Sequence, residues 1–166
     1  DCTTNSGRYY LREISVPDGY LIEQSVIPVE FTYENQFIAW QVVDCLHSDK
    51  QTTVEIDKRA FTADSNDTFA LPGATLTVTD WNGNVVDSWE CGDTAHVIRE
   101  LHLSHDFAGN RDTSKVYTLA ETCPADGYTT ARSIQFRLEQ ATDDNAYLQE
   151  TAVWVLHESE DGDAVQ

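Results

Sequence analysis

The sequence predicts an all-β protein, and three observations carry this prediction. Segments that alternate apolar and polar residues recur at 53–56, 74–79, 133–138 and 151–156, as half-buried strands do. Asn82-Gly83 stands between two apolar runs, and this dipeptide is the strongest short-range signal of a β-hairpin. Helical periodicity is found only at 95–103, which is too short to favour a helix. Short strands separated by turn residues are typical of a β-sandwich or barrel.

Composition and charge exclude several classes of protein. Ten Lys and Arg face 29 Asp and Glu, for a formal net charge of −19 over 166 residues. A protein with this charge is poorly suited to nucleic acid or an anionic membrane surface, because both attract cations. No apolar run approaches the roughly 20 residues of a membrane-spanning helix. The chain starts without Met or a signal-like apolar block, so we expect a mature secreted segment or a piece cut from a longer protein.

The chain contains an internal repeat. YLRE at 10–13, PDGY at 17–20 and VEF at 29–31 resemble YTLAE at 117–121, PADGY at 124–128 and IQF at 134–136. Glu13 and Glu121 are thereby placed 108 residues apart, which is a suitable length for one small β-domain. The repeat indicates tandem domains rather than a solenoid, whose units are shorter.

The first copy of the repeat is incomplete, because only 12 residues precede Glu13. We therefore expect residues 1–48 to be the C-terminal half of a domain, 49–158 a complete domain and 159–166 an acidic tail or linker. A half domain exposes a sheet edge and an apolar face. Three explanations stay open: the chain is a fragment, a partner chain supplies the missing strands, or the segment packs on the complete domain.

Seven short motifs, in order, carry a resemblance to a known family. They are IDK at 56–58, LPGATL at 71–76, VVDSW at 85–89, HVI at 96–98, YTLAET at 117–122, DGY at 126–128 and IQF at 134–136. This pattern resembles the SpaA/Cna-B type domains, the prealbumin-like repeats of Gram-positive surface adhesins and pilins. The resemblance covers residues 53–156 in full and 8–48 in part. It implies a prealbumin-like β-sandwich in a stalk or adhesin on the bacterial cell wall surface, with adjacent domains of the same protein as its partners.

The resemblance also implies an isopeptide bond between a Lys on the first strand and an Asn or Asp on the last, assisted by a Glu. Lys58 and Glu121 match the lysine and the glutamate of the complete domain, whereas Leu156 or His157 stands where the acceptor is expected. In the partial domain, Glu13 matches the glutamate and Asp44 the acceptor. Because the acceptor of the complete domain is replaced, we expect Lys58 and Glu121 to form a non-covalent ion pair there.

The four cysteines lack a CxxC pair, which argues against a structural zinc site. Disulfides and free buried thiols are both open alternatives, and four cysteines allow three connectivities. Pairing within domains would join Cys91 to Cys123 and Cys2 to Cys45. Such a disulfide would limit unfolding in the way that an isopeptide bond does.

Among function classes, a structural stalk or adhesin module without catalytic turnover is the leading prediction. The sequence has no GxSxG elbow, Walker loop or HExxH pair, and we expect no metal and no cofactor. The alternative is a module that binds a glycan or a host protein, with Trp40, Trp81 and His105 as candidate contacts.

Overall fold

The computed structural model of the protein describes residues 8–31, 42–61 and 68–140, together with the backbone of two later strands, Val153–Glu158 and Ala164–Val165. These residues form strands, turns and irregular segments. Within them there is no α-helix, and hence none that is long and apolar enough to cross a membrane. The predicted all-β class is therefore confirmed.

The strands are short, with two to seven residues each. They are β1 (Arg8–Leu11), β2 (Tyr20–Leu21), β3 (Ile27–Glu30), β4 (Lys50–Gln51), β5 (Thr53–Ile56), β6 (Arg59–Phe61), β7 (Thr68–Ala70), β8 (Thr75–Thr79), β9 (Val85–Glu90), β10 (His96–Arg99), β11 (Leu103–His105), β12 (Tyr117–Cys123), β13 (Ile134–Gln140), β14 (Val153–Glu158) and β15 (Ala164–Val165). Each of the four predicted strand segments lies on one of them: β5, β8, β13 and β14.

A seven-stranded mixed sheet forms the centre of the described structure. Its order is β15-β14-β13-β12-β8-β9, with all of these neighbours antiparallel, and β11 pairs with β13 in parallel. Four antiparallel two-stranded ribbons accompany it: β1-β3, β2-β4, β5-β10 and β6-β7. The sheet connects strands far apart in sequence, so its stability depends on long-range contacts.

The predicted hairpin at Asn82-Gly83 joins β8 to β9. Gly83 has φ +83°, and the Asp80 carboxylate accepts hydrogen bonds from the backbone N–H groups of Asn82 and Asn84, both at 2.8 Å. A positive φ favours glycine, and aspartate readily caps its own turn in this way. The local sequence thus determines this turn without help from the rest of the fold.

The main apolar core lies between the β5-β10 ribbon and the central sheet. Its buried members are Val54, Val78, Ile98, Leu101, Tyr117, Phe136 and Leu138. The ribbon contributes Val54 and Ile98, and the sheet contributes side chains from β8, β12 and β13. This two-layer arrangement removes one face of the sheet from water, which is the dominant favourable contribution to folding.

The segment at 95–103, the best helical candidate in the sequence, contains strand β10 instead of a helix. Val97 is exposed, whereas Ile98 is buried against the core and pairs with Val54 of β5. Strand pairing and burial of alternate residues override a weak helical pattern over so short a segment.

The two copies of the repeat adopt matching local structures. In each copy, an antiparallel pair of strands encloses a turn with a positive-φ glycine, Gly19 in the first and Gly127 in the second. The turns close by equivalent hydrogen bonds, from Tyr20 N to Pro17 O and from Tyr128 N to Ala125 O. The similarity of sequence therefore reflects a similarity of backbone conformation.

Residues 18–22 of the first copy are hydrogen-bonded to Thr52 and Gln140, which lie outside this copy. Thr52 Oγ1 donates to Gly19 O at 3.2 Å or to Leu101 O at 2.7 Å, and Thr52 N donates to Gly19 O at 2.9 Å. The buried Gln140 amide accepts a hydrogen bond from Ile22 N at 3.1 Å and donates one to Ile22 O at 2.7 Å. Gln140 therefore pairs with the Ile22 backbone as a neighbouring strand would.

Candidate functional site

The candidate site is centred on a buried carboxylate on strand β12. Glu121 pairs in register with Leu76 of β8, and its side chain is only 1% exposed. One carboxylate oxygen, Oε2, accepts a short hydrogen bond from the backbone N–H of Ala131. A buried carboxylate requires such partners, because its transfer from water into the protein interior is otherwise strongly unfavourable.

Lys58 provides the opposite charge. It lies between β5 and β6, and its Nζ is 3.1 Å from Glu121 Oε1, with 16% of the lysine side chain exposed. The backbone carbonyl of Lys58 accepts a hydrogen bond from Leu71 N, which fixes the chain at this point. The structure thus brings together the two residues that the sequence assigned to the complete domain.

A second, smaller apolar cluster surrounds this pair. Its buried members are Ala60, Leu71, Ala74, Leu76, Cys91 and Ala125. Burial raises the pKa of the Cys91 thiol, the charge of Lys58 opposes this shift and the charge of Glu121 adds to it. Lys58 and Glu121 consequently interact in a largely apolar environment, where an ion pair is less screened than at the surface.

Strand β14, which contains the position expected for the acceptor, pairs with β13 in antiparallel orientation. In its register, Leu156 faces Arg137 and His157 faces Phe136. Only the backbone of β14 is described. That Leu156 or His157 occupies the position of the acceptor therefore stays a prediction from the sequence.

Glu13 is the residue of the partial domain that corresponds to Glu121, and its neighbouring side chains differ from those of Glu121. Glu13 Oε2 accepts a hydrogen bond from Glu23 N at 2.7 Å, ten residues further along the chain. Glu121 accepts its backbone hydrogen bond from Ala131, also ten residues further along. In place of a lysine, Glu13 faces His47, whose Nε2 lies 3.3 Å from Glu13 Oε2. The glutamate therefore accepts an equivalent backbone hydrogen bond in both copies, while the side chain beside it differs.

Asp44, the predicted acceptor of the partial domain, has an exposed side chain in a segment without strand structure. The acidic residue of this segment that approaches Glu13 is Asp49, in a cluster that also contains His47. Sequence reasoning missed both of these residues. The alignment of Glu13 with Glu121 indicates that Glu13 requires a partner, but it does not identify one in an irregular segment.

The cysteine pairing predicted for the complete domain is wrong in this structure. Cys91 and Cys123 are free thiols, the first buried and the second exposed. Cys123 pairs in register with Thr75 of β8, and Cys91 follows β9 on the opposite side of β8. Two strand spacings of about 4.8 Å separate them, more than the roughly 7 Å that a disulfide can bridge between Cα atoms. Cys45 is also a free, exposed thiol, and its predicted partner Cys2 lies outside the described residues.

The thiols should differ in reactivity. We expect an alkylating reagent to modify Cys45 and Cys123 in the native chain within minutes and Cys91 only after unfolding, because Cys91 is 7% exposed and burial raises its pKa. Mass spectrometry of the peptides would follow each site separately. Equal modification of Cys91 and Cys123 under native conditions would contradict the burial of Cys91.

Two of the three residues that the sequence suggested as contacts for a ligand, Trp81 and His105, lie in the described part of the chain and are partly buried. Trp81 is partly buried against the core, in edge-to-face contact with Tyr117 at 5.6 Å and His102 at 5.1 Å, with Lys115 Nζ 4.0 Å from the centre of its ring. His105 lies on β11 and is half-buried. Trp40 lies outside the described residues.

No family model matches the sequence, and no curated protein matches it either.

Proposed function

We propose that the protein is a structural stalk or adhesin module of a bacterial cell-surface protein, built on a prealbumin-like sandwich of the SpaA/Cna-B type and without catalytic turnover. The seven ordered motifs support this proposal, as does the all-β structure with its two-layer core. The observation that carries it is the buried Lys58–Glu121 pair, since these two residue types meet at the positions that the family resemblance assigns to them.

The pair is suited to a mechanical function. Lys58 follows β5, which belongs to the β5-β10 ribbon, and Glu121 lies on β12 in the central sheet. Separating this ribbon from the central sheet would therefore also separate two charges in an apolar environment. That separation leaves a buried carboxylate without its cation, which is strongly unfavourable.

Pulling the full chain by its two ends in a force spectrometer tests this function. We expect the wild-type chain to unfold at a clearly higher force than the Lys58→Met variant, because only the wild type must break the buried pair. The matched control is Arg8→Met, which removes an ion pair whose side chains are 63% and 59% exposed. Equal unfolding forces for the wild type and Lys58→Met would contradict the proposed mechanical function.

The intact mass of the reduced, denatured chain shows whether Lys58 forms only an ion pair or a covalent isopeptide bond. We expect the unmodified mass, because Leu156 or His157 stands at the acceptor position. The loss of one water or one ammonia, mapped to a peptide containing Lys58, would instead identify an isopeptide bond and an acceptor that the sequence did not reveal.

A second candidate function is the binding of a glycan or a host protein. The observation that favours it is the group of exposed large side chains on and beside β1: Tyr9, Tyr10, Leu11 and Ile14. Exposed contiguous apolar side chains are a common feature of interaction surfaces. A glycan array probed with the full chain and with Tyr10→Ser separates this function from a purely structural one.

A further inference from the structure

Three side chains with metal-binding atoms converge where residues 1–48 meet the start of the segment 49–158, and none of them takes part in the Lys58–Glu121 site. Glu13, His47 and Asp49 each offer one ligand atom, and these atoms all lie within 4.8 Å of one another. Glu13 follows β1, whereas His47 and Asp49 belong to the segment that leads into β4. The cluster therefore joins two parts of the chain that are more than 30 residues apart.

The His47–Glu13 contact is a long hydrogen bond, the His47–Asp49 distance is too long for one, and both distances suit a shared metal ion. His47 Nε2 lies 3.3 Å from Glu13 Oε2 and 3.6 Å from Asp49 Oδ1. Hydrogen bonds between nitrogen and oxygen are usually 2.7–3.2 Å long, and a separation of 3.6 Å is too long for one. Tetrahedral coordination with bonds of about 2.0–2.1 Å places neighbouring ligand atoms roughly 3.4 Å apart. Both measured separations are close to that value.

Charge and exposure agree with this interpretation. The two carboxylates supply a charge of −2, which matches a divalent cation, and the chain as a whole carries −19. A strongly acidic protein raises the local concentration of cations. The side chains of Glu13, His47 and Asp49 are 14%, 25% and 26% exposed, so a water molecule can reach a fourth coordination position.

The surrounding backbone fixes the first of these ligands. Glu13 Oε2 accepts the hydrogen bond from Glu23 N at 2.7 Å, which orients the carboxylate toward His47. Hydrogen bonds of this kind, from groups around a metal site to its ligands, hold a ligand in place before the metal arrives. Glu13 is thus held by the same backbone interaction that holds Glu121 in the complete domain.

We propose that Glu13, His47 and Asp49 form a binding site for one divalent transition-metal ion of the zinc class, with water as the fourth ligand. The metal links the irregular segment at 42–49 to the turn between β1 and β2, and so replaces the lysine that neutralises the equivalent glutamate in the complete domain. The sequence-based expectation of no metal is revised by this proposal. It does not depend on the proposed stalk or adhesin function.

Isothermal titration calorimetry with zinc chloride tests the site on the full chain. Exposed thiols also bind zinc, so all proteins in the test carry Cys2→Ser, Cys45→Ser and Cys123→Ser, and are stripped of metal with a chelator. We expect one zinc ion per chain in this background. His47→Gln and Asp49→Asn should each weaken binding by about 100-fold or more, since each removes a direct ligand rather than a surrounding group, whose loss weakens binding 10–100-fold.

Two matched controls accompany these variants. His96→Gln removes a histidine that pairs with a single carboxylate, Asp87, at 2.8 Å, and Asp44→Asn removes an exposed carboxylate in the same segment as Asp49. We expect both control variants to bind zinc as the background protein does. Asp49→Asn keeps the shape of the side chain, so it tests the site even where His47→Gln perturbs the fold, which circular dichroism would reveal. The absence of saturable binding, or equal affinity in the Asp49→Asn and Asp44→Asn variants, would overturn the proposal.

Discussion

Lys58→Met is expected to destabilise the chain by about 3 kcal/mol, the largest effect of any single substitution that we predict. The variant leaves the Glu121 carboxylate, whose side chain is 1% exposed, without the ammonium group 3.1 Å away. Breaking a buried ion pair by removing one partner typically costs 3–5 kcal/mol, because the remaining charge has lost its compensation. The free energy of unfolding measured by urea denaturation gives the effect directly.

A double substitution separates charge from packing. Glu121→Gln in the Lys58→Met background removes the charge and keeps an amide oxygen that can accept the hydrogen bond from Ala131 N. We expect this double variant to recover at least half of the lost stability. Arg8→Met is the control for an exposed pair, and its effect should stay below about 1 kcal/mol. A double variant as unstable as Lys58→Met alone would show that the lysine stabilises the fold by packing instead of charge.

Gly19→Ala is expected to have the second largest effect, again about 3 kcal/mol. Gly19 has φ +86°, and a Cβ added there would lie 2.8 Å from both Cα and O of Glu100. The left-handed conformation costs an alanine roughly 1–2 kcal/mol, and overpacking against a backbone that must move adds about 1–3 kcal/mol. Urea denaturation again measures the total, and hydrogen exchange at Ile22 reports on the docking of this segment through Gln140.

Gly83→Ala is the matched control for this substitution. Gly83 has a nearly identical φ of +83°, but nothing lies within 4 Å of the position that its Cβ would occupy. We therefore expect Gly83→Ala to lose only the conformational component, about 1–2 kcal/mol, and to leave hydrogen exchange at Ile22 unchanged. Equal losses in the two variants would mean that residues 18–22 are not packed on Glu100 as the structure places them.

Much of the fold could be predicted from local sequence. Alternation of apolar and polar residues indicated β5, β8, β13 and β14, and Asn82-Gly83 indicated the hairpin between β8 and β9. These signals are reliable because a half-buried strand and a tight turn each impose their pattern on a few adjacent residues. The segment at 95–103 had no such clear pattern, and its pairing with β5 decided its conformation.

Some residues of the candidate sites could likewise be predicted from the sequence, and others could not. The sequence indicated Lys58, Glu121 and Glu13 through the repeat and the family resemblance. It did not indicate His47 and Asp49, because they lie in an irregular segment and approach Glu13 across more than 30 residues. The Cys91–Cys123 pairing was wrong for a related reason. Both cysteines follow plausible strands, but the strand order places β8 between them.

The sequence by itself determined the all-β class, the positions of four strands, the hairpin turn and the internal repeat, and it indicated the pairing of Lys58 with Glu121. Only the tertiary structure decided the order of the strands, the free state of Cys91 and Cys123, and the two side chains that approach Glu13. The physical reason is the distance along the chain over which each interaction acts. Turn preferences and side-chain alternation act between neighbours in the chain, whereas strand order and ion pairing are set by contacts between segments that sequence spacing does not specify.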